Sequence, residues 1–196
     1  MPYTFKKLLF IPAIILLAAV SLQAAASAEQ TVKSKYFNIY IGQGIDRTEL
    51  LQKLNAHYFL QLKAAFSDEN YKSGTDADDQ MARTLDAIYL EISDILDIHM
   101  YSFSIDLEIV PGKDALSDEL FKYLNKRLDM PSFYFYDRNR IYVSFADMTL
   151  GMLSHEIAHA IVSHYFVVPP SVKVQEVLAG YAEYSIRKVT VNASKK

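Results

Sequence analysis

Residues 153–176 narrow the folds open to this chain more than any other stretch. Leu153, Ile157, Ala160 and Ile161 recur at helical intervals, which predicts a helix from near Asp147 or Thr149 to about His164. Pro169-Pro170 breaks it, and a last helix is predicted over about 172–190. The short 165–171 connection must fold that second helix back beside the first. Two features interrupt this apolar hairpin. One is His155-Glu156-Ile157-Ala158-His159, which takes two of the chain's five histidines, and the other is Glu176, seventeen residues after His159.

Histidines four apart on a helix project from one face and can reach a single ion. Leu153, Ile157, Ala160 and Ile161 turn elsewhere, so one helix separates packing from chemistry. Glu156 occupies the neighbouring angular position. A carboxylate there can take a proton from metal-bound water and pass it to a leaving amine. The expected cofactor is therefore Zn2+, which at a catalytic site normally has three protein ligands and one open position.

The third ligand has several candidates. His164 lies five residues after His159, about 140° further around the axis, and should point elsewhere. Metzincins extend the motif to H-E-x-x-H-x-x-G-x-x-H, but Val162 and Tyr165 stand at the glycine and final histidine positions. Glu176 and Glu183 both fall on the following helix. Glu176 is favoured because it comes directly after the double-proline turn, whereas Glu183 needs a different register. The metal set is thus expected to be His155, His159 and Glu176, with Glu156 catalytic. Tyr165, Tyr181, Tyr184 and His164 are local candidates to face a developing oxyanion. His57 and His99 read as structural.

The ends and composition bound where such a site would work. Lys6 and Lys7 precede an apolar run from Leu8 to Val20, and Ala26-Ser27-Ala28 offers small residues for cleavage. That is the pattern of a signal peptide over 1–28, leaving 29–196 as one domain. The run is shorter than the ~20 residues that cross a bilayer comfortably, and no later segment reads as a span. The expected destination is therefore export, to the periplasm or beyond. Without Lys6 and Lys7 the chain carries 18 basic against 23 acidic side chains, which argues against nucleic acid as a partner. No cysteine is present, so neither disulfides nor thiolate chemistry contribute. Fourteen tyrosines and eleven phenylalanines supply bulk for the core.

Upstream of the motif, Tyr36–Ile41 reads as a strand. Asp46 and Glu49 read as a capping box opening a helix over 47–66. Ser67 to Asp79 reads as a surface loop. A second helix is predicted over about 80–98, a strand through Phe103, Ile105, Leu107 and Ile109, and a short helix near 114–127. Residues 133–136 and 141–144 flank the polar turn 137–140 as a hairpin. Strands and helices share one core, so the fold class is α+β.

The stretches Ser154-His155-Glu156-Ile157-Ala158-His159-Ala160 and Pro169–Tyr184, with Glu176-Val177-Leu178-Ala179-Gly180-Tyr181-Ala182-Glu183-Tyr184, resemble the gluzincin metallopeptidases, and in particular the small peptidase MA-like proteins. The resemblance implies a zincin-like single domain with a small mixed sheet, a hairpin, an H-E-x-x-H helix and a second ligand helix. It implies zinc on His155, His159 and Glu176, Glu156 as general base, and a peptide or protein substrate paired to a hairpin strand at about 141–145. Two positions depart from the family. Val177 replaces the glycine common after the third ligand. Gly180 stands where thermolysin-like enzymes carry an aspartate that orients a ligand histidine, leaving the outer shell unassigned. After the last predicted helix one wall of a thermolysin-type cleft is expected to be absent, so the groove is expected to be either shallow or completed by a protein partner. The competing expectation is a noncatalytic, zinc-stabilised peptide-binding or structural module of the cell envelope.

Overall fold

A computed structural model describes residues 30–63 and 76–193. The predicted leader and most of the 67–79 loop lie outside the described residues. Strands β1 (Gln30–Lys33), β2 (Phe37–Ile41), β3 (Ile105–Val110), β4 (Ser132–Phe135) and β5 (Arg140–Ser144) form one open sheet in the order β1-β2-β3-β5-β4. The β2–β3 and β3–β5 pairs are parallel, and both outer pairs are antiparallel. Helices α1 (Arg47–Lys53), α2 (Ala56–Lys63), α3 (Ala77–Leu96), α4 (Lys113–Leu124), α5 (Leu150–Tyr165) and α6 (Val172–Ala193) complete a mixed α+β architecture. None of the described helices is long and apolar enough to cross a membrane.

Strand alternation sends side chains to two faces and so creates two cores. Phe37, Ile39, Ile41, Ile105, Leu107, Ile109, Ile141 and Val143 all point one way. They meet Leu50 and Leu54 at α1, Phe59 of α2, Leu85 and Ile88 of α3, Ile157 and Ile161 of α5, and Ala179, Ala182 and Ile186 of α6. On the opposite face Val110 and Tyr142 pack under Leu116 and Leu120 of α4, flanked by Phe133 and Phe135. Beyond α4 that face carries charge: Arg140 bridges Asp106 at 2.7 Å and Glu108 at 2.9 Å and lies over the Tyr40 ring.

Three sequence expectations need correction. The single helix over 47–66 is two helices within its described part, hinged at Asn55, whose φ is +53°. Leu54 and Phe59 are both fully buried, yet five residues along a straight helix would set them about 140° apart. The hinge turns both toward the core, and asparagine tolerates the left-handed conformation that makes it. Asp46 does cap α1, accepting from the Thr48 amide at 2.6 Å and the Glu49 amide at 3.3 Å, while the Glu49 carboxylate lies 3.9 Å from Lys53. Second, β1 was not anticipated, because Gln30-Thr31-Val32-Lys33 is too short and polar to alternate legibly.

Third, β5 is interior to the sheet, and the edge strand beside α5 is β4. The Ser144 amide donates to the Pro131 carbonyl at 2.8 Å. By antiparallel alternation, the amides and carbonyls of Ser132 and Tyr134 then face outward from the sheet. A single 3-10 turn, Tyr136–Arg138, and left-handed Asn139 (φ +46°) close the β4–β5 hairpin.

Candidate metal centre

Thr149 starts α5 by accepting the Met152 amide on its hydroxyl at 3.2 Å, which leaves the motif well inside a regular helix. His155 and His159 then stand one above the other, their Nε2 atoms 3.1 Å apart. The return is fixed by Gln175. Its side-chain amide donates to the Pro170 carbonyl at 2.8 Å, and its oxygen accepts from the Ser163 hydroxyl at 3.0 Å. The Ser171 carbonyl accepts the Val174 and Gln175 amides and so closes the first turn of α6. Glu176 follows immediately, and its two carboxylate oxygens lie 3.4 Å from His155 Nε2 and 3.4 Å from His159 Nε2.

These separations test whether the residues fit zinc. Ligand bonds of about 2.0–2.2 Å in a tetrahedron put neighbouring ligand atoms about 3.3–3.6 Å apart. The Nε2 atoms, 3.1 Å apart, are somewhat closer than that, and each lies 3.4 Å from a different Glu176 oxygen. The three side chains thus converge on one point, and the donor set of two imidazoles and a carboxylate suits zinc. His155, His159 and Glu176 form a group able to hold a metal among the described residues. Burial, chiefly, and the neighbouring His155 charge hold the His159 pKa below its ordinary value, opposed by Glu176 and Gln175. A neutral imidazole is the form that ligates.

Glu156 is buried against β4. It accepts the Ser132 hydroxyl at 2.7 Å and the Tyr134 backbone amide. Burial pushes its pKa above the usual carboxylate range, and the Glu176 charge adds to that. The hydrogen bonds from Ser132 and Tyr134 and the His155 charge oppose it.

Glu183 does not join the ligand atoms. It lies on the other side of His155, with Oε2 3.2 Å from Nδ1, and its second oxygen is paired with Arg187. A carboxylate on Nδ1 favours a proton there and frees Nε2 for a metal. This is the outer-shell role left vacant at Gly180. The signal was present in the spacing, because positions seven apart share a helix face and Glu183 follows Glu176 by seven.

His164 is directed away from the cluster, as its angular position predicts. Its Nδ1 meets the Tyr134 hydroxyl at 3.0 Å and the Ala160 carbonyl at 3.1 Å, and its ring packs between Phe103 and Tyr136. Tyr165, Tyr181 and Tyr184 are exposed. His99 sits past the end of α3 near Asp94 and Asp97. Ser132 was missed from sequence, since nothing local links it to a helix 24 residues away. Comparison with protein-family models, characterised proteins and solved structures returned no match.

Proposed function

We propose that this chain is a zinc-dependent peptide hydrolase of gluzincin type, acting in an exported compartment. The observation that carries the reading is the convergence of His155, His159 and Glu176, with both imidazole Nε2 atoms within 3.4 Å of the Glu176 carboxylate, beside a buried glutamate on the helix that bears both histidines. The zincin-like reading of the fold draws support from an edge strand against the motif helix and a second ligand helix packed behind it.

His155, His159 and Glu176 would hold the ion, which when bound supplies a Lewis acid and makes water more acidic. Glu156 accepts a proton from the attacking water as its oxygen bonds to the scissile carbonyl carbon. Glu156 then returns that proton to the leaving nitrogen as the C–N bond breaks. Ser132 and the Tyr134 amide keep the Glu156 carboxylate aimed rather than free to rotate. The outward Ser132 amide and carbonyl and the Tyr134 carbonyl of β4, the Tyr134 amide being taken by Glu156, offer an extended peptide a strand to pair with, in place of the β5 segment expected from the sequence. Exposed Val177, Tyr181 and Tyr184 give one side of the site an apolar surface on which a partner protein can complete the cleft.

One observation favours a second reading. Glu156 caps the outward Tyr134 amide and the Ser132 hydroxyl of β4, a contact a purely structural residue also makes, so a noncatalytic zinc-stabilised module of the cell envelope fits that contact. Zinc analysis coupled to cleavage of an unbiased peptide library separates the two. Wild type should bind one zinc and cleave, and Glu156→Gln should bind zinc and not cleave. Stoichiometric zinc with no cleavage by wild type would favour the module.

A further inference from the structure

Behind the candidate metal ligands lies a chain of contacts that crosses from α6 back to α5. Glu183 divides its carboxylate between two partners: Oε2 faces His155 Nδ1 at 3.2 Å, and Oε1 pairs with Arg187 one turn further along α6. The Arg187 side chain then runs across α5 at Gly151, which is buried. A Cβ placed on Gly151 would stand 3.2 Å from Arg187 Cγ and 3.3 Å from Cδ, and nearer still to Nε. Gly151 is four residues before His155, as His155 is four before His159, so all three lie in one row on the α5 face that meets α6. The bare site in that row is where the arginine passes.

An exposed pair such as Arg187 with Glu183 adds little to stability. Its geometric effect is larger. A glutamate held only at one oxygen can rotate about its terminal bond, whereas one held at both oxygens keeps a fixed orientation toward the imidazole. That orientation favours the Nδ1–H tautomer and leaves the Nε2 lone pair directed at Glu176 and His159.

We propose that Arg187 is a positioning residue for His155, acting through Glu183, and that Gly151 is the gap in α5 that admits it. The proposal rests on reading His155 as a metal ligand. It adds that ligand readiness is set from a residue that touches neither metal nor substrate.

Gly151→Ala tests this without altering either charged residue. Arg187 is flexible, so the new methyl should displace it rather than unfold the helix, and alanine is the stronger helix former. The full chain carrying Gly151→Ala should melt no lower than wild type yet bind zinc about tenfold more weakly, at the low end for loss of an outer-shell partner. Arg187→Met should match it, Arg187→Lys should recover part of the loss, and Glu183→Ala should lose about 10–100-fold. In metal-free protein, long-range proton–nitrogen NMR of the imidazoles should find His155 protonated on Nδ1 in wild type and shifted toward Nε2–H in Gly151→Ala and Arg187→Met. Unchanged tautomer in both variants would overturn the proposal. So would a melting temperature that falls in step with zinc affinity, which would mark a merely structural contact. Should wild type take up no zinc, the functional reading fails, and the metal-free tautomers still decide this one.

Discussion

The Ser132 hydroxyl donates to the Glu156 carboxylate across 2.7 Å, tying the edge strand of the sheet to the helix that bears both histidines. Hydrogen bonds to charged groups contribute about 1.5–3 kcal/mol when buried, and this one lies in a nearly closed position. Ser132→Ala should therefore destabilise the fold by about 1.5–3 kcal/mol and, on the proposed function, slow hydrolysis, because Glu156 then keeps the Tyr134 amide without the hydroxyl. Combined with Glu156→Leu, the two losses should fall short of additive by about 1–3 kcal/mol. Urea denaturation of the four proteins in that cycle measures the coupling, and strict additivity would show that the bond has no energetic weight.

Zinc should stabilise the folded protein by mass action if His155, His159 and Glu176 hold it. At a hundred times its dissociation constant, a ligand specific to the native state adds about 2.7 kcal/mol. Wild type should melt higher with zinc and lower after chelation. His159→Ala removes one of three donors and should abolish the zinc-dependent shift while leaving the metal-free melting temperature close to wild type. A full zinc shift in His159→Ala would place the ion elsewhere.

The parts of this fold that were legible in sequence are those governed by local periodicity. The α5 and α6 helices, their proline break and the strict alternation of β3 follow from spacing alone, and so does the meeting of His155, His159 and Glu176. What escaped was set by tertiary contact. Ser132 reaches Glu156 only because β4 takes the sheet edge, and that order depends on two parallel crossovers that no local pattern announces. The helical register of Glu183 puts it on the face of Glu176 but does not say which imidazole nitrogen it meets. The Asn55 hinge was hidden because Leu50, Leu51, Leu54, Tyr58 and Leu62 continue a helical rhythm across it.

That hinge makes its own prediction. Asn55 sits at φ +53°, where a side chain with a Cβ is strained by about 1–2 kcal/mol unless it is asparagine, aspartate or glycine. Asn55→Gly should leave stability nearly unchanged, and Asn55→Ala should lower it by about 1 kcal/mol despite alanine's stronger helix propensity. Chemical denaturation of both variants checks this. A stabilised Asn55→Ala would mean that α1 and α2 can merge into one straight helix without cost to the core.

Asp86 gives the pH dependence. It is almost fully buried in α3 and accepts the Ser34 hydroxyl at 2.7 Å, the Tyr36 amide at 3.0 Å and the Lys35 amide at 3.1 Å, clamping the β1–β2 turn to the helix. Burial raises its pKa above the usual carboxylate value, and the three hydrogen bonds and the Lys35 charge only partly oppose this. The folded state therefore binds the Asp86 proton more tightly than the unfolded chain. Where the folded state holds more protons, unfolding free energy falls as pH rises. The Asp86 contribution is thus largest below the ordinary carboxylate pKa, declines as pH climbs from there through the raised value, and is level above it. Asp86→Asn removes this titration and turns a side-chain amide toward backbone N–H donors. It should cost about 1–3 kcal/mol at neutral pH, and more on the acid side, where wild type regains what the buried charge had taken away. Urea unfolding of both proteins from about pH 4 to about pH 7 should give curves that converge with rising pH and then run parallel. Curves that diverge with rising pH would mean that the Ser34, Lys35 and Tyr36 donors outweigh burial, leaving Asp86 a carboxylate stabilised in the fold.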